Sequence, residues 1–237
     1  MKVICYIVAM MAEASPFIEE YGLREKKDFF APLPCALYEG EVKGMRLCVV
    51  LNGQQHGSDL VGCEPAAVAA MVAIQRLKPD LVINSGTCGG FQQKGAEIGK
   101  VYIGNGVMFH DRRVPGDDAW STQSVGNYPV WEGSRELAES LGLPMGKVTT
   151  GSSLDMQPCD LEMIQQHGGE LKDMEGAAIG FVCSLYGTPV LYVKSVTDLC
   201  DNGAETYEEF SRNLRKASEE LRKVNLQVVE WVNAARR

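Results

Sequence analysis

The sequence predicts a single-domain three-layer α/β/α sandwich with a mixed central sheet. Three observations predict it. Short apolar runs alternate with helical patterns along the whole length. A chain of 237 residues is long enough to bury roughly 70–75% of its unfolded surface without a disulfide or metal staple. It carries no internal repeat, low-complexity tract or linker, so residues 1–237 read as one domain. Hydrophobic residues make up 45% and charged residues 23%, a balance that excludes disorder as a description of the whole. The net charge of −8 excludes a basic face for nucleic acid but leaves a small-molecule enzyme open.

Residues 3–10 are apolar and read as a first buried strand. Ser15-Pro16 reads as an N-cap followed by proline at the first helical position. Two short strands are predicted at 36–39 and 46–51, with a turn at Lys43-Gly44. Glu64-Pro65 opens an alanine-rich helix that Lys78-Pro79 stops. Residues 80–85 form a compact apolar strand ending in a glycine-rich loop, Gly86-Thr87-Cys88-Gly89-Gly90. Residues 100–109 are extended. Residues 112–130, with Pro115, Gly116, Gly126 and Pro129, read as a long irregular loop. A helix over 134–141 precedes a strand at 147–150. Residues 171–174 are extended and lead into a helix over 175–186. Residues 189–196 read as a buried strand. Thr206-x-x-Glu209 reads as a capping box opening a long terminal helix, with Phe210, Leu214, Leu221, Val224, Leu226 and Val228 turned in part to one side.

No run approaches the ~20 apolar residues of a membrane-spanning helix. Residues 1–8 lack a cleavage site and Glu13 follows soon after, so the expectation is a cytoplasmic protein with no membrane partner. The eight cysteines include no Cys-x-x-Cys pair and fit free thiols in a reducing compartment. His56, His110 and His167 are too far apart for paired metal ligands, so neither a metal nor a cofactor is expected.

Ligands of open α/β sheets bind beyond the carboxyl ends of strands, and five polar clusters fall at such predicted ends. Glu13, in Met10-Met11-Ala12-Glu13, is either a carboxylate favouring a helix dipole or a general base at a strand tip. The segment 84–90 matches neither a dinucleotide fingerprint nor a P-loop; its glycines are either a tight turn or a place where backbone approaches a ligand. Gly151-Ser152-Ser153-Leu154-Asp155-Met156 is either a loop or a pocket lining. In Asp173-Met174-Glu175-Gly176-Ala177-Ala178, Glu175 either charges a helix start or accepts hydrogen bonds from a diol. Lys194 interrupts an apolar strand that Asp198 ends; the pair reads either as an edge strand with a turn aspartate or as a pocket with a protonated acid.

The five clusters, taken together and in this order, resemble the nucleoside phosphorylase superfamily. Within it the chain is similar to the 5′-methylthioadenosine/S-adenosylhomocysteine nucleosidases of the plant-type branch. The resemblance runs over nearly the whole chain. It is strongest from Lys78-Pro79-Asp80 to Gly90, in Phe109-His110-Asp111-Arg112-Arg113, in Lys172-Asp173-Met174-Glu175-Gly176-Ala177-Ala178 and in Ser195-Val196-Thr197-Asp198. It implies the nucleoside phosphorylase-like fold and hydrolysis of the N-glycosidic bond of adenine thionucleosides, a step of methionine salvage. It further implies Asp198 as the general acid at purine N7 and Glu13 as the carboxylate that activates water. Glu175 would hold the ribose hydroxyls and Met174 would pack on the sugar. Leu154 would flank the adenine, and Thr87 would serve the ribose and water region. Lys194 stands where bacterial members carry arginine. Val114 falls where the family lends a residue to the neighbouring subunit's 5′ pocket, which implies a homodimer.

The chain departs from the plant-type pattern at Ser152, where an acidic residue is expected, across 53–63 with His56, and across 114–131 with Trp120 and Trp131. Two rivals stand beside the hydrolase. A phosphorylase would need arginines where this chain has Met11-Ala12-Glu13 and Asn84-Ser85, and a carboxylate opposes a phosphate dianion. A non-catalytic nucleoside-binding or storage relative would not need the three carboxylates together.

Overall fold

The computed structural model describes residues 2–235. Met1 and the last two residues of the expected 1–237 domain lie outside the described residues. The first strand is β1 (Val3–Val8), followed by α1 (Met11–Tyr21), β2 (Arg24–Glu25), β3 (Ala36–Val42), β4 (Met45–Leu51) and the small hairpin β5 (Gln54–Gln55) and β6 (Ser58–Asp59). Then come α2 (Cys63–Leu77), β7 (Leu81–Gly90), a 3-10 turn (Gln92–Lys94), β8 (Val101–Phe109), α3 (Asp118–Val125), α4 (Ser134–Leu141) and β9 (Met145–Thr150). The chain closes with α5 (Pro158–Gln166), β10 (Leu171–Asp173), α6 (Gly176–Tyr186), β11 (Val190–Leu199) and α7 (Thr206–Ala234).

Nine strands form one mixed sheet in the order β10-β9-β8-β11-β7-β1-β4-β3-β2. The order places β7 and β11 side by side in parallel at its centre. The short β10 pairs in parallel with β9 and also antiparallel with β7, so five strands curl back on themselves. Successive residues of β1 serve opposite faces, as the two-residue period of a strand requires. Cys5 and Ile7 pack into the core with α2 and α6. Ile4, Tyr6 and Val8 pack into the core with α1, α4 and α7. The result is a helical layer on each face of the sheet, an α/β/α arrangement as predicted.

Several elements differ from expectation. Helix α1 begins at Met11, so Pro16 lies inside it and not at its first position. Glu13 replaces the expected serine cap: its Oε2 accepts the Met10 N–H at 3.3 Å. The glycine-rich segment is not a loop. β7 runs on to Gly90 because β11 and β10 supply partners for its backbone. The segment 112–130 contains α3, whose first turn is capped by Asp117 accepting the Trp120 N–H at 3.0 Å. Helix α5 escaped the sequence reading, although Pro158 at its start and Asp160 accepting the Gln157 N–H are ordinary start signals. The capping box at Thr206 does not form. Glu205 caps α7 by accepting the Glu208 N–H at 2.7 Å. Glu209 turns inward and accepts the Leu199 N–H at 2.8 Å.

Candidate active site

Beyond the carboxyl ends of β1, β7 and β11 the structure opens a cavity of about 250 Å³. Glu13, Thr87, Leu154, Met174, Glu175 and Asp198 line it. Six of the eight sequence-predicted site residues are thereby brought together from five separate stretches of chain. Lys194 is fully buried and does not line the cavity. Its Nζ lies 2.7 Å from Asp173 Oδ2. The edge-strand alternative for Lys194 is excluded, because β11 is flanked by β8 and β7. Val114 lies apart, in a surface cleft with Arg112 and Arg113.

Glu13 is held by the strand beside it. Its Oε1 accepts from the Thr87 backbone N–H and the Thr87 hydroxyl, both at 2.7 Å. Gly86 makes this approach possible: a Cβ there would lie 3.3 Å from Glu13 Oε1. Burial pushes the Glu13 pKa up, against the pull of the Thr87 hydrogen bonds and the Lys194 charge. A carboxylate raised in this way is a better proton acceptor at neutral pH.

Glu175 stands at the junction between β10 and α6. The Gly62 N–H donates to its Oε1 at 2.9 Å, which ties it to the start of α2. Burial and the neighbouring Asp173 charge push its pKa up to about 7. Asp173 is the fixed point beneath it. Asp173 Oδ2 accepts the Gly176 N–H at 2.9 Å and pairs with Lys194, and its Oδ1 accepts from the Thr150 hydroxyl. Burial opposes the Lys194 charge, but the Asp173 and Glu175 carboxylates outweigh it and hold its pKa up.

Asp198 sits at a bulge in the β7–β11 pairing. The Thr197 hydroxyl lies 2.8 Å from its Oδ1, and Asn213 of α7 holds the Thr197 carbonyl at 2.9 Å. Burial pushes the Asp198 pKa up, opposed by the Thr197 hydrogen bond and the Lys172 charge. A raised pKa favours the protonated form, and a protonated carboxyl can donate to a leaving group. The cavity therefore gathers the carboxyl groups of Glu13, Asp173, Glu175 and Asp198, and burial raises the pKa of Glu13, Glu175 and Asp198. Sequence reading assigned no role to Asp173, Thr197 or Lys172, although each stood inside a quoted motif. It missed Val61, Tyr207 and Phe210, which also line the cavity; they lie in loop or helix-start segments whose direction no local pattern sets.

Residues 3–230 match the phosphorylase superfamily model. A 5′-methylthioadenosine nucleosidase of Arabidopsis thaliana is 40% identical over 234 residues, covering 97% of this chain and 87% of the relative. A 5′-methylthioadenosine/S-adenosylhomocysteine nucleosidase of the same plant is 35% identical over 97% of this chain and 91% of its own. The apo structure of Arabidopsis thaliana 5′-methylthioadenosine nucleosidase superposes with a TM-score of 0.95 over 98% of this chain and 96% of that one. With a family match across nearly the whole length and relatives aligned end to end, the chain belongs to the phosphorylase superfamily and, within it, to the plant-type 5′-methylthioadenosine/S-adenosylhomocysteine nucleosidases, a family of N-glycosyl hydrolases.

Proposed function

We propose that the protein hydrolyses the N-glycosidic bond of 5′-methylthioadenosine to adenine and 5-methylthioribose, and accepts S-adenosylhomocysteine as a second substrate. The observation that carries this reading is the convergence of Glu13, Glu175 and Asp198 on one cavity. Asp198 gives its proton to purine N7, so that the electron pair of the breaking C1′–N9 bond is taken up by a neutral base. Glu175 accepts hydrogen bonds from the ribose diol, and Met174 packs on the sugar. The carboxylates oppose the positive charge that builds on the ribosyl ring. Water then attacks C1′ and yields a proton to Glu13, which Thr87 orients. Hydrolysis is favoured over phosphorolysis because a phosphate dianion beside C1′ would face Glu13 and Glu175. The buried ammonium of Lys194 is already paired with Asp173. The test is adenine release from each nucleoside with and without phosphate. Release without phosphate is expected; release only with phosphate would remove Glu13 as the water base, and binding without release would favour the non-catalytic relative.

The 5′ end of the substrate points, in this reading, toward Val61 and Phe210 and is completed by Val114 of a second copy. Met71 on α2 and Phe181, Leu185 and Tyr186 on α6 are exposed apolar side chains on two adjacent helices. Such an apolar strip suits a subunit interface. Sedimentation should give a homodimer, and Phe181→Glu with Leu185→Glu should give a monomer with at least tenfold weaker substrate binding. A fully active monomer would refute the shared pocket.

A further inference from the structure

Lys172 is a charged side chain of this cavity to which the proposed steps give no part. It is the middle residue of β10, only 6% exposed, and it lines the cavity. Its Nζ donates to the Ser153 carbonyl at 2.8 Å and to the Leu154 carbonyl at 2.9 Å. Both partners are neutral. Burying an ammonium against neutral carbonyls is costly, and a tether for the loop at 153–154 needs no charge, since an amide would serve.

Strand register gives the charge a target. Lys172 pairs with Gly89 across β10 and β7, and Gly89 pairs with Asp198 across β7 and β11. Residues paired in this way point their side chains to the same face, and each strand step is about 4.8 Å. Gly89 has no side chain, so Lys172 and Asp198 face one another over bare backbone, with Cα atoms roughly 10 Å apart. The other titratable groups around Asp198 are Glu209 from α7, Cys88 from β7 and Cys200 just past the end of its own strand. Lys172 also acts on His110, at the end of β8. Of the charged groups that act on Asp198 among the described residues, Lys172 is the cation and Glu209 the anion.

We propose that Lys172 is a positioning residue with two tasks. It fixes the 153–154 carbonyls so that Leu154 stays against the purine, and its charge stabilises the carboxylate left on Asp198 once the proton has passed to N7. The proposal rests on Asp198 being the acid. Without the ammonium, Asp198 holds its proton more tightly and is a weaker acid. An acid must be protonated to act, so activity falls as pH rises through its pKa, and this basic limb should move to higher pH when Lys172 loses its charge.

Three variants test it through pH profiles of kcat and kcat/KM for methylthioadenosine. Lys172→Gln keeps a donor and drops the charge; its basic limb should move up in pH, with kcat on the plateau roughly fivefold lower and KM little changed. Lys172→Met drops both; the limb should move likewise and KM should rise about tenfold. Lys172→Arg keeps the charge and should leave the limb in place. Superposition of the Gln and Met limbs on the parent would reduce Lys172 to a tether and overturn the proposal. Failure of both variants to fold would overturn it as well, by making Lys172 a stability residue. Near-normal turnover in Asp198→Asn would instead show that the acid assignment itself fails.

Discussion

A Cβ added at Gly89 would lie 2.7 Å from Asp198 Oδ2 and 2.6 Å from Cys200 Sγ. The carboxyl of Asp198 is therefore seated against bare backbone, and its aim depends on that glycine. Gly89→Ala should fold, since Gly89 has no positive φ, and lower kcat about a hundredfold by displacing the proposed acid. Wild-type kcat in that variant would mean that the site tolerates the shift. Asp198→Asn keeps an acceptor for Thr197 but cannot give a proton; kcat should fall at least a hundredfold with an unchanged melting temperature. At this scale the sequence was only half legible. Glu13 and Glu175 each looked like a helix-start carboxylate, and each is in fact near a helix start. The reading that they also share one cavity came from the order of motifs and not from either residue's neighbours.

Elements place these residues by anchoring to one another. The three-residue β10 is held at Asp173, which at once caps α6, accepts from Thr150 of β9 and pairs with Lys194 of β11. Removing one partner of a buried ion pair leaves the other charge uncompensated, at about 3–5 kcal/mol. Asp173→Ala should therefore lower the melting temperature by about 10 °C, and adding Lys194→Met should recover much of the loss. Additive losses in the double variant would argue that the pair is not coupled. The element pattern was largely readable. Helix α4 and the end of α2 fall where periodicity and stop signals put them. β7 did not, because glycines at 86, 89 and 90 look like a loop until neighbouring strands supply hydrogen-bond partners.

Burial of three carboxylates in one cavity makes the stability of the whole molecule depend on pH. The Glu175 pKa rises from its ordinary 4.5 to about 7, so the folded state binds that proton more tightly than the unfolded chain. The stability this confers is fully present below about pH 4.5 and is lost as pH rises through about 7. Glu13 and Asp198 are raised too and act in the same direction. Glu175→Gln cannot ionise and still accepts from Gly62. It should match the parent in denaturant melts at pH 4 and exceed it at pH 8 by on the order of 3 kcal/mol, while losing the proposed ribose contact. An equal difference at both pH values would show that Glu175 carries no such strain.

The sequence by itself determined the alternation of strands and helices, the α/β class and, through motif order, the family. These follow from patterns that act over a few residues: apolar runs, helix stops and the two-residue period of strands. Only the tertiary structure decided that the glycine-rich segment remains a strand and that Lys194 is neutralised from β10. It alone set Lys172 opposite Asp198 over a residue without a side chain. Each of those outcomes depends on strand register between segments distant in sequence. Register is chosen by how the whole core packs, and no local pattern encodes it.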